Sequence, residues 1–336
     1  ADASGTMRSL SLALVLAACG GASDDPAGDA PTSQPCVPAD DSTPLVDATS
    51  WQLGATAVDG AGSWFVLAKQ HDNVTDLVIA DATGELSAPI TGIANASGTT
   101  IATVNLDGKR CFAMHTFDEK FQFACEGGPA ENPDLELGGK MSVVADGSTV
   151  HAFGQDFAAY HELRRTGGTW SQVEKFESSI SKAEDAVISQ GNVVSCFLST
   201  GDNASIDTLS GDPVYGEGIA TWCRLLPDGS SLGVLTDLGF TTFTGATLGN
   251  WQPTAVEVRP LAVGTRAGSP FAVIRRDDRV ELQPLPTGTP TVLLTAGSDS
   301  VQAVIQGDRV ILASLRSSFE SGTTRYELIQ STRCME

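Results

Sequence analysis

The sequence predicts an all-β fold, and three observations predict it. Thirty-five glycines and sixteen prolines punctuate the chain. No long Ala/Leu/Glu/Lys tract offers a helix, and short apolar runs alternate with polar turns along most of the length. The 336 residues, 41% hydrophobic and 18% charged, supply a sizeable core and are too balanced for a disordered chain. Charge narrows the partners: 41 acidic residues against 20 basic ones give −21, a field that repels phosphate backbones, so nucleic acid is excluded as a partner class.

The chain opens on an address. From Met7 it carries one positive charge, Arg8, then a largely apolar run from Leu10 to Ala18 interrupted only by Ser11, then Cys19. That run is about half of the roughly 20 residues a transmembrane helix needs, so it reads as a secretion signal. Its ending, Leu16-Ala17-Ala18-Cys19, resembles the lipobox of bacterial lipoproteins. The resemblance implies cleavage before Cys19, a diacylglycerol on its thiol and attachment to the cell envelope, the membrane being a partner through that lipid. Gly20 after the cysteine, rather than Asp, implies the outer membrane. Residues 1–18 are then an upstream remnant (Ala1 to Thr6) and a lipoprotein signal peptide. Residues 19–42, small, polar and acidic, read as the lipidated cysteine and a flexible tether, and 43–336 as the folded domain.

Beyond Cys19 six cysteines remain, an even number in an oxidising compartment. Cys111 and Cys125 flank a midpoint at Asp118 between two apolar runs, which sets them opposite each other on adjacent antiparallel strands. Cys196 and Cys223 repeat that arrangement around a longer loop, and by elimination Cys36 pairs with Cys334. No Cys-x-x-Cys or Cys/His cluster argues for a metal instead.

One pattern recurs beyond the tether: an apolar strand, a turn built around glycine, a second apolar strand, a polar loop and a third strand. The turn glycines are Gly60, Gly108, Gly147, Gly191, Gly268 and Gly307, spaced by 48, 39, 44, 77 and 39 residues. Spacings near 40 with about four strands per unit predict a β-propeller. Six blades are expected, with seven as the alternative, because the interval of 77 must hold a long insertion or an extra blade. The last unit shows three clear strands, and a spare strand within Thr43 to Leu53 can complete it, closing the ring at the seam that Cys36 and Cys334 would lock. Two tandem β-sandwiches are the competing fold; they give the chain ends no reason to meet.

Chemistry is harder to find. Gly229-Ser-Ser-Leu-Gly233 matches Gly-x-Ser-x-Gly around Ser231, yet Pro227-Asp-Gly reads as a hairpin turn, whereas a nucleophile elbow needs a strand and then a helix. The four histidines show no metal-ligand spacing. What remains is positional. In a propeller the loops between second and third strands gather on one face around the central channel, and here they carry His71, Asp72, His115, Asp118, Asp156, Asp202, Asp212, Arg275, Arg276 and Arg316. These are the candidate ligand-binding residues. Carboxylates there could hold calcium or a polar saccharide, although no cofactor is evident. The stretch from Thr200 to Gly218 reads as the longest of the loops.

Two partial resemblances point to sialidases. Gly167-Gly-Thr-Trp170 resembles the second half of their Asp-box turn, with Leu163 and Arg165 at the Ser and Asp positions, and implies fold only. Arg275, Arg276 and Arg316 resemble, incompletely, the arginine cluster by which sialidases grip a carboxylate. The sequence thus supports an envelope-anchored binding or scaffold module with an envelope protein or glycan as ligand, and no evident catalytic site. The alternative is a glycan-acting hydrolase using two carboxylates on the channel face.

Overall fold

The computed structural model describes residues 36, 38, 44–49, 51–71, 74–94, 96–116, 118–155, 159–177, 182–198, 203–208, 214–228, 231–245, 247–295, 301–320 and 323–335. The lipobox, Cys19 and the tether up to residue 35 lie outside them. The compact unit that holds them runs Cys36–Glu336.

The described residues form strands and turns without helix. After β1 (Pro44–Asp47), β2 (Gln52–Asp59), β3 (Gly62–His71), β4 (Val74–Asp81) and β5 (Ile90–Ala94) make the first sheet. The second has three strands, β6 (Ala96–Leu106), β7 (Lys109–Thr116) and β8 (Phe121–Cys125). The third is β9 (Gly138–Asp146), β10 (Thr149–Gln155), β11 (Ala159–Thr166) and β12 (Thr169–Glu177). The fourth is β13 (Lys182–Ser189), β14 (Asn192–Leu198), β15 (Asn203–Thr208) and β16 (Val214–Ile219). The fifth is β17 (Cys223–Asp228), β18 (Ser231–Thr236), β19 (Gly239–Thr244) and β20 (Thr247–Leu248). The sixth is β21 (Ala262–Arg266), β22 (Ser269–Arg276), β23 (Arg279–Pro284) and β24 (Thr291–Thr295). The last is β25 (Val301–Gln306), β26 (Arg309–Glu320) and β27 (Thr323–Cys334), completed on its outer side by β1.

Each sheet is an antiparallel meander whose first strand touches the first strands of its neighbours, from β2 through β6, β9, β13, β17, β21 and β25 back to β2. That closed circuit is the hub of a β-propeller. The six glycine turns read from the sequence each join the first two strands of a separate sheet, and the 77-residue interval holds the remaining one, β17 to β20. Its first turn joins Asp228 to Ser231, so Ser231 stands at a hairpin and not at a nucleophile elbow. Asp107 and Gly108, and again Gln190 and Gly191, both take positive φ between directly paired residues, the geometry that lets a two-residue loop match the strand twist.

The core is a set of wedges. Strands buried on both faces read as continuous apolar runs, as in Trp64-Phe65-Val66-Leu67 of β3 and Val310-Ile311-Leu312-Ala313 of β26. Alternate side chains of each run serve opposite neighbours. Trp64 and Val66 pack with Phe112 and Met114 of the second sheet, whereas Phe65 and Leu67 pack with Ala313, Leu328 and Val46 of the last. One apolar cluster fills each junction between adjacent sheets.

All three expected cysteine pairs are formed. Cys111 and Cys125 are direct partners of β7 and β8, with Cα atoms 4.0 Å apart. Cys196 and Cys223 were expected on neighbouring strands of one sheet; they stand on β14 and β17, so this bond fastens the fourth sheet to the fifth. Cys36 is bonded to Cys334 beside the seam where β1 pairs with β27.

Candidate functional site

The meanders place the start of each first strand and the turn between second and third strands at the same end of the ring. Of the ten residues expected to bind there, Asp72, Asp156, Asp202 and Asp212 lie outside the described residues, and His71 is described only as the last residue of β3. In the chain Asp212 follows the third strand of its sheet, β15, instead of preceding it. The supposed long loop from Thr200 is mostly β15 and β16, polar outer strands whose Asn, Ser, Thr and Gly content hides them from a hydrophobic reading.

Asp118 is exposed at the β7–β8 turn. His115 faces inward: it is 7% exposed, and its Nδ1 and Nε2 lie 3.0 and 3.1 Å from the main-chain carbonyls of Thr116 and Gly139. It ties the second sheet to the third and offers little to a ligand. The arginines are engaged one by one. Arg275 donates to the Asp277 carbonyl, and Arg276 donates to the Ala255 carbonyl and sits 3.7 Å from Glu281. Arg316 donates to Glu327 at 2.9 Å. Their acidic neighbours differ, with Glu281 beside Arg276 and Glu327 beside Arg316. The half Asp-box is structural: Gly167 and Gly168 take positive φ, and Trp170 packs edge-on against Phe121 and Phe123 of the second sheet.

A different set of side chains does converge at this end. Lys140 lies two residues into β9 from Gly138, Glu184 and Asp185 early in β13, and Arg224 second in β17. Arg259 comes from the connector between β20 and β21, which reaches back over the fifth sheet to the fourth. The pairing of β13 with β14 slips between Ala183 and Asp185, so Glu184 is the extra residue of a bulge that breaks the alternation of side chains beside Asp185.

Glu184 is fully buried and is shared by two cations. Lys140 Nζ donates to Oε1 at 2.7 Å, and Arg259 Nη2 lies 3.3 Å from Oε2 while donating to the Glu184 carbonyl at 3.3 Å. Asp185 Oδ2 accepts the Leu225 N–H at 2.9 Å, and Arg224 Nη1 stands 3.8 Å from Oδ1. Arg224 also donates to the Pro260 carbonyl, which anchors the connector that carries Arg259.

Withdrawal from water pushes the Asp185 carboxyl above its ordinary range; Arg224, the N–H groups of Leu225 and Ala186, and Arg259 oppose that shift without cancelling it. Withdrawal from water and then the neighbouring Arg224 pull the Arg259 guanidinium below the ordinary arginine value, against Glu184 and Asp185. Three cationic and two acidic groups thus gather at the mouth of the channel, with Glu184 buried beneath partly exposed cations. Among the described residues no group of three or more His, Cys, Asp or Glu side chains is placed to hold a metal ion, so the calcium expectation finds no ligand set there. Sequence reasoning missed this cluster because its members come from three sheets and a connector, with no spacing to mark them.

The chain is therefore a β-propeller with a charged channel mouth. No protein-family model and no curated protein sequence matches it. Among solved structures, the β-propeller domain of the Trilobed protease from Pyrococcus furiosus, described as having an open velcro topology, is similar with a TM-score of 0.53 at 13% identity, over 86% of this chain and 96% of that one. Acylaminoacyl peptidase from Pyrococcus horikoshii gives 0.51 at 13% identity over 86% of this chain; the match spans about half, 53%, of the peptidase. The polysaccharide lyase Uly1 gives 0.52 at 10% identity, over 84% and 90% of the two chains. Identity this low shows the shared fold alone.

Proposed function

We propose that the protein is an exported lipoprotein, held on the bacterial cell envelope by a lipid on Cys19, whose propeller is a binding module with its ligand site at the channel mouth. The Leu16 to Cys19 signature and the acidic tether support the anchoring half of this reading. One observation carries the binding half: Lys140, Glu184, Asp185, Arg224 and Arg259 converge from three sheets and a connector on one spot at the end of the ring where ligand-facing turns gather. The ligand is an envelope protein or a glycan. Two measurements test it. Labelled fatty acid should enter the wild-type protein and not a Cys19→Ser variant. A photoreactive residue at Leu238, on the channel-mouth end, should capture a partner in intact envelopes that the same residue at Ser148, on the opposite end, does not. Equal capture from both ends refutes the site.

A second reading, a glycan-acting hydrolase, is favoured by one feature, the neighbouring Glu184 and Asp185 with the Asp185 carboxyl shifted toward its protonated form, as a general acid needs. The polysaccharide lyase among the similar folds is consistent with glycan chemistry on such a scaffold. Against it, Glu184 is fully buried and held by Lys140 and Arg259. Turnover of an envelope glycan that vanishes in Asp185→Asn would establish this reading in place of the first.

A further inference from the structure

We infer that the ligand presents an oxyanion, a carboxylate, sulfate or phosphate group, to Lys140, Arg224 and Arg259; this rests on the channel-mouth reading above. Cationic groups outnumber acidic ones here, and of the five only Glu184 is fully buried. Three cationic side chains meet two acidic ones, and Glu184 already serves both Lys140 and Arg259. The carboxylate nearest Arg224 is Asp185, at 3.8 Å and already accepting two backbone N–H groups.

The donors are also incompletely used. The Nε–H groups of Arg224 and Arg259 are buried without a hydrogen-bond partner, so neither guanidinium is locked into a two-pronged carboxylate pair. Both side chains keep a solvent-facing part, 22% and 35% exposed, and Lys140 is 40% exposed beside them. Two guanidinium groups and an ammonium, each partly open to solvent, suit an oxyanion better than a cation or a neutral hydroxyl group. The segments leading to these arginines also present apolar surface. Ile219, ahead of Arg224, is 65% exposed, and Val258, next to Arg259, is 40% exposed, so the uncharged part of the ligand has somewhere to rest.

The test titrates the full chain with sodium sulfate, sodium phosphate and sodium galacturonate at constant ionic strength against chloride, by calorimetry and thermal shift. At least one should bind saturably, identifying which oxyanion is preferred. Affinity should fall at least tenfold in Arg224→Gln and Arg259→Gln and stay unchanged in Lys109→Ala, which lies at the opposite end of the ring. Lys140→Ala removes a side chain two-fifths exposed, and its affinity should also fall should either arginine variant fold poorly. Saturable binding that all three cluster variants retain overturns the proposal. So does the absence of saturable binding by every probe; if Leu238 still captures a partner in that case, the oxyanion assignment alone falls and the channel-mouth site stands.

Discussion

Cys36 and Cys334 lie 298 residues apart in the chain and 5.6 Å apart at Cα. Beside them β1 pairs with β27, Val46 opposite Leu328. Ring closure thus has two fastenings, a ladder of backbone hydrogen bonds and a covalent bond. Replacing both cysteines by serine should cost about 2–5 kcal/mol in denaturant unfolding, because the bond restrains a very long loop in the unfolded chain. The same replacement of Cys111 and Cys125, separated by 14 residues, should cost about 2–3 kcal/mol less on the loop-entropy argument. Equal losses would show that loop length does not set the gain, and no loss at the seam would show that the strand pairing alone closes the ring.

Trp170 joins the third sheet to the second through packing and polarity together. Its indole N–H donates to Glu131 at 2.7 Å, and Arg165 grips the same carboxylate at 2.7 and 2.9 Å. Trp170→Ala should lower stability by about 3 kcal/mol, toward the lower end for aromatic truncation because the ring is half-buried. Trp170→Phe keeps the contacts with Phe121 and Phe123 and should cost about 1 kcal/mol, the share of the lost hydrogen bond. Urea unfolding of the two variants separates the contributions.

Glu162 is fully buried and accepts from His151 Nδ1 at 2.7 Å and from Arg164 at 2.8 and 3.0 Å. Glu162→Ala should cost about 3 kcal/mol, since one partner, His151, is buried and the other, Arg164, can turn to water. Glu162→Gln should fall between wild type and alanine. A neutral outcome for alanine would mean that water replaces the carboxylate.

Asp185 predicts an acid-side signature with a definite sign. Its carboxyl holds the proton more tightly in the folded protein than in the unfolded chain, so its contribution to stability falls as pH rises from the ordinary aspartate value, 3.8, through the raised folded value. Asp185→Asn should remove that slope and leave the protein at least as stable as wild type at neutral pH. Asp59 and Glu131 act oppositely. Burial raises both carboxyls, but hydrogen bonds from Arg110 to the first, and from Arg165 and Trp170 to the second, outweigh it and hold them below their ordinary values. Their contribution is present above those values and is lost as pH falls through the folded ones. Unfolding free energy of wild type and Asp185→Asn between pH 3 and 7 checks both signs.

The fold was legible wherever backbone geometry demands a particular residue. Gly108 and Gly191 mark two-residue turns because few other residues accept positive φ, and the cysteines mark paired positions because a disulfide tolerates little misplacement. The hairpin between Asp228 and Ser231 belongs to the same repeat, since Gly229 stands 38 residues after Gly191 and 39 before Gly268. Strands such as β15 carry too few apolar side chains to declare themselves, although β15 is paired on both edges by β14 and β16. The site was scarcely legible. Polar turn residues are expected wherever strands reverse, so the sequence marks His115 and Arg316 alike, and the structure gives the first to an inter-sheet bond and the second to its cross-strand neighbour. Glu184 and Arg259, 75 residues apart, meet only through the connector that reaches from the fifth sheet back to the fourth.

The wedges between neighbouring sheets have a mechanical consequence. Each apolar cluster belongs to two adjacent blades, so no central mass exists whose loss would dissolve everything at once. Damage to a single junction turns a circle into an arc whose remaining joints still hold. Opening then begins most readily where the contact depends on a short terminal strand, β1, and that is where the chain carries its long-range covalent clasp.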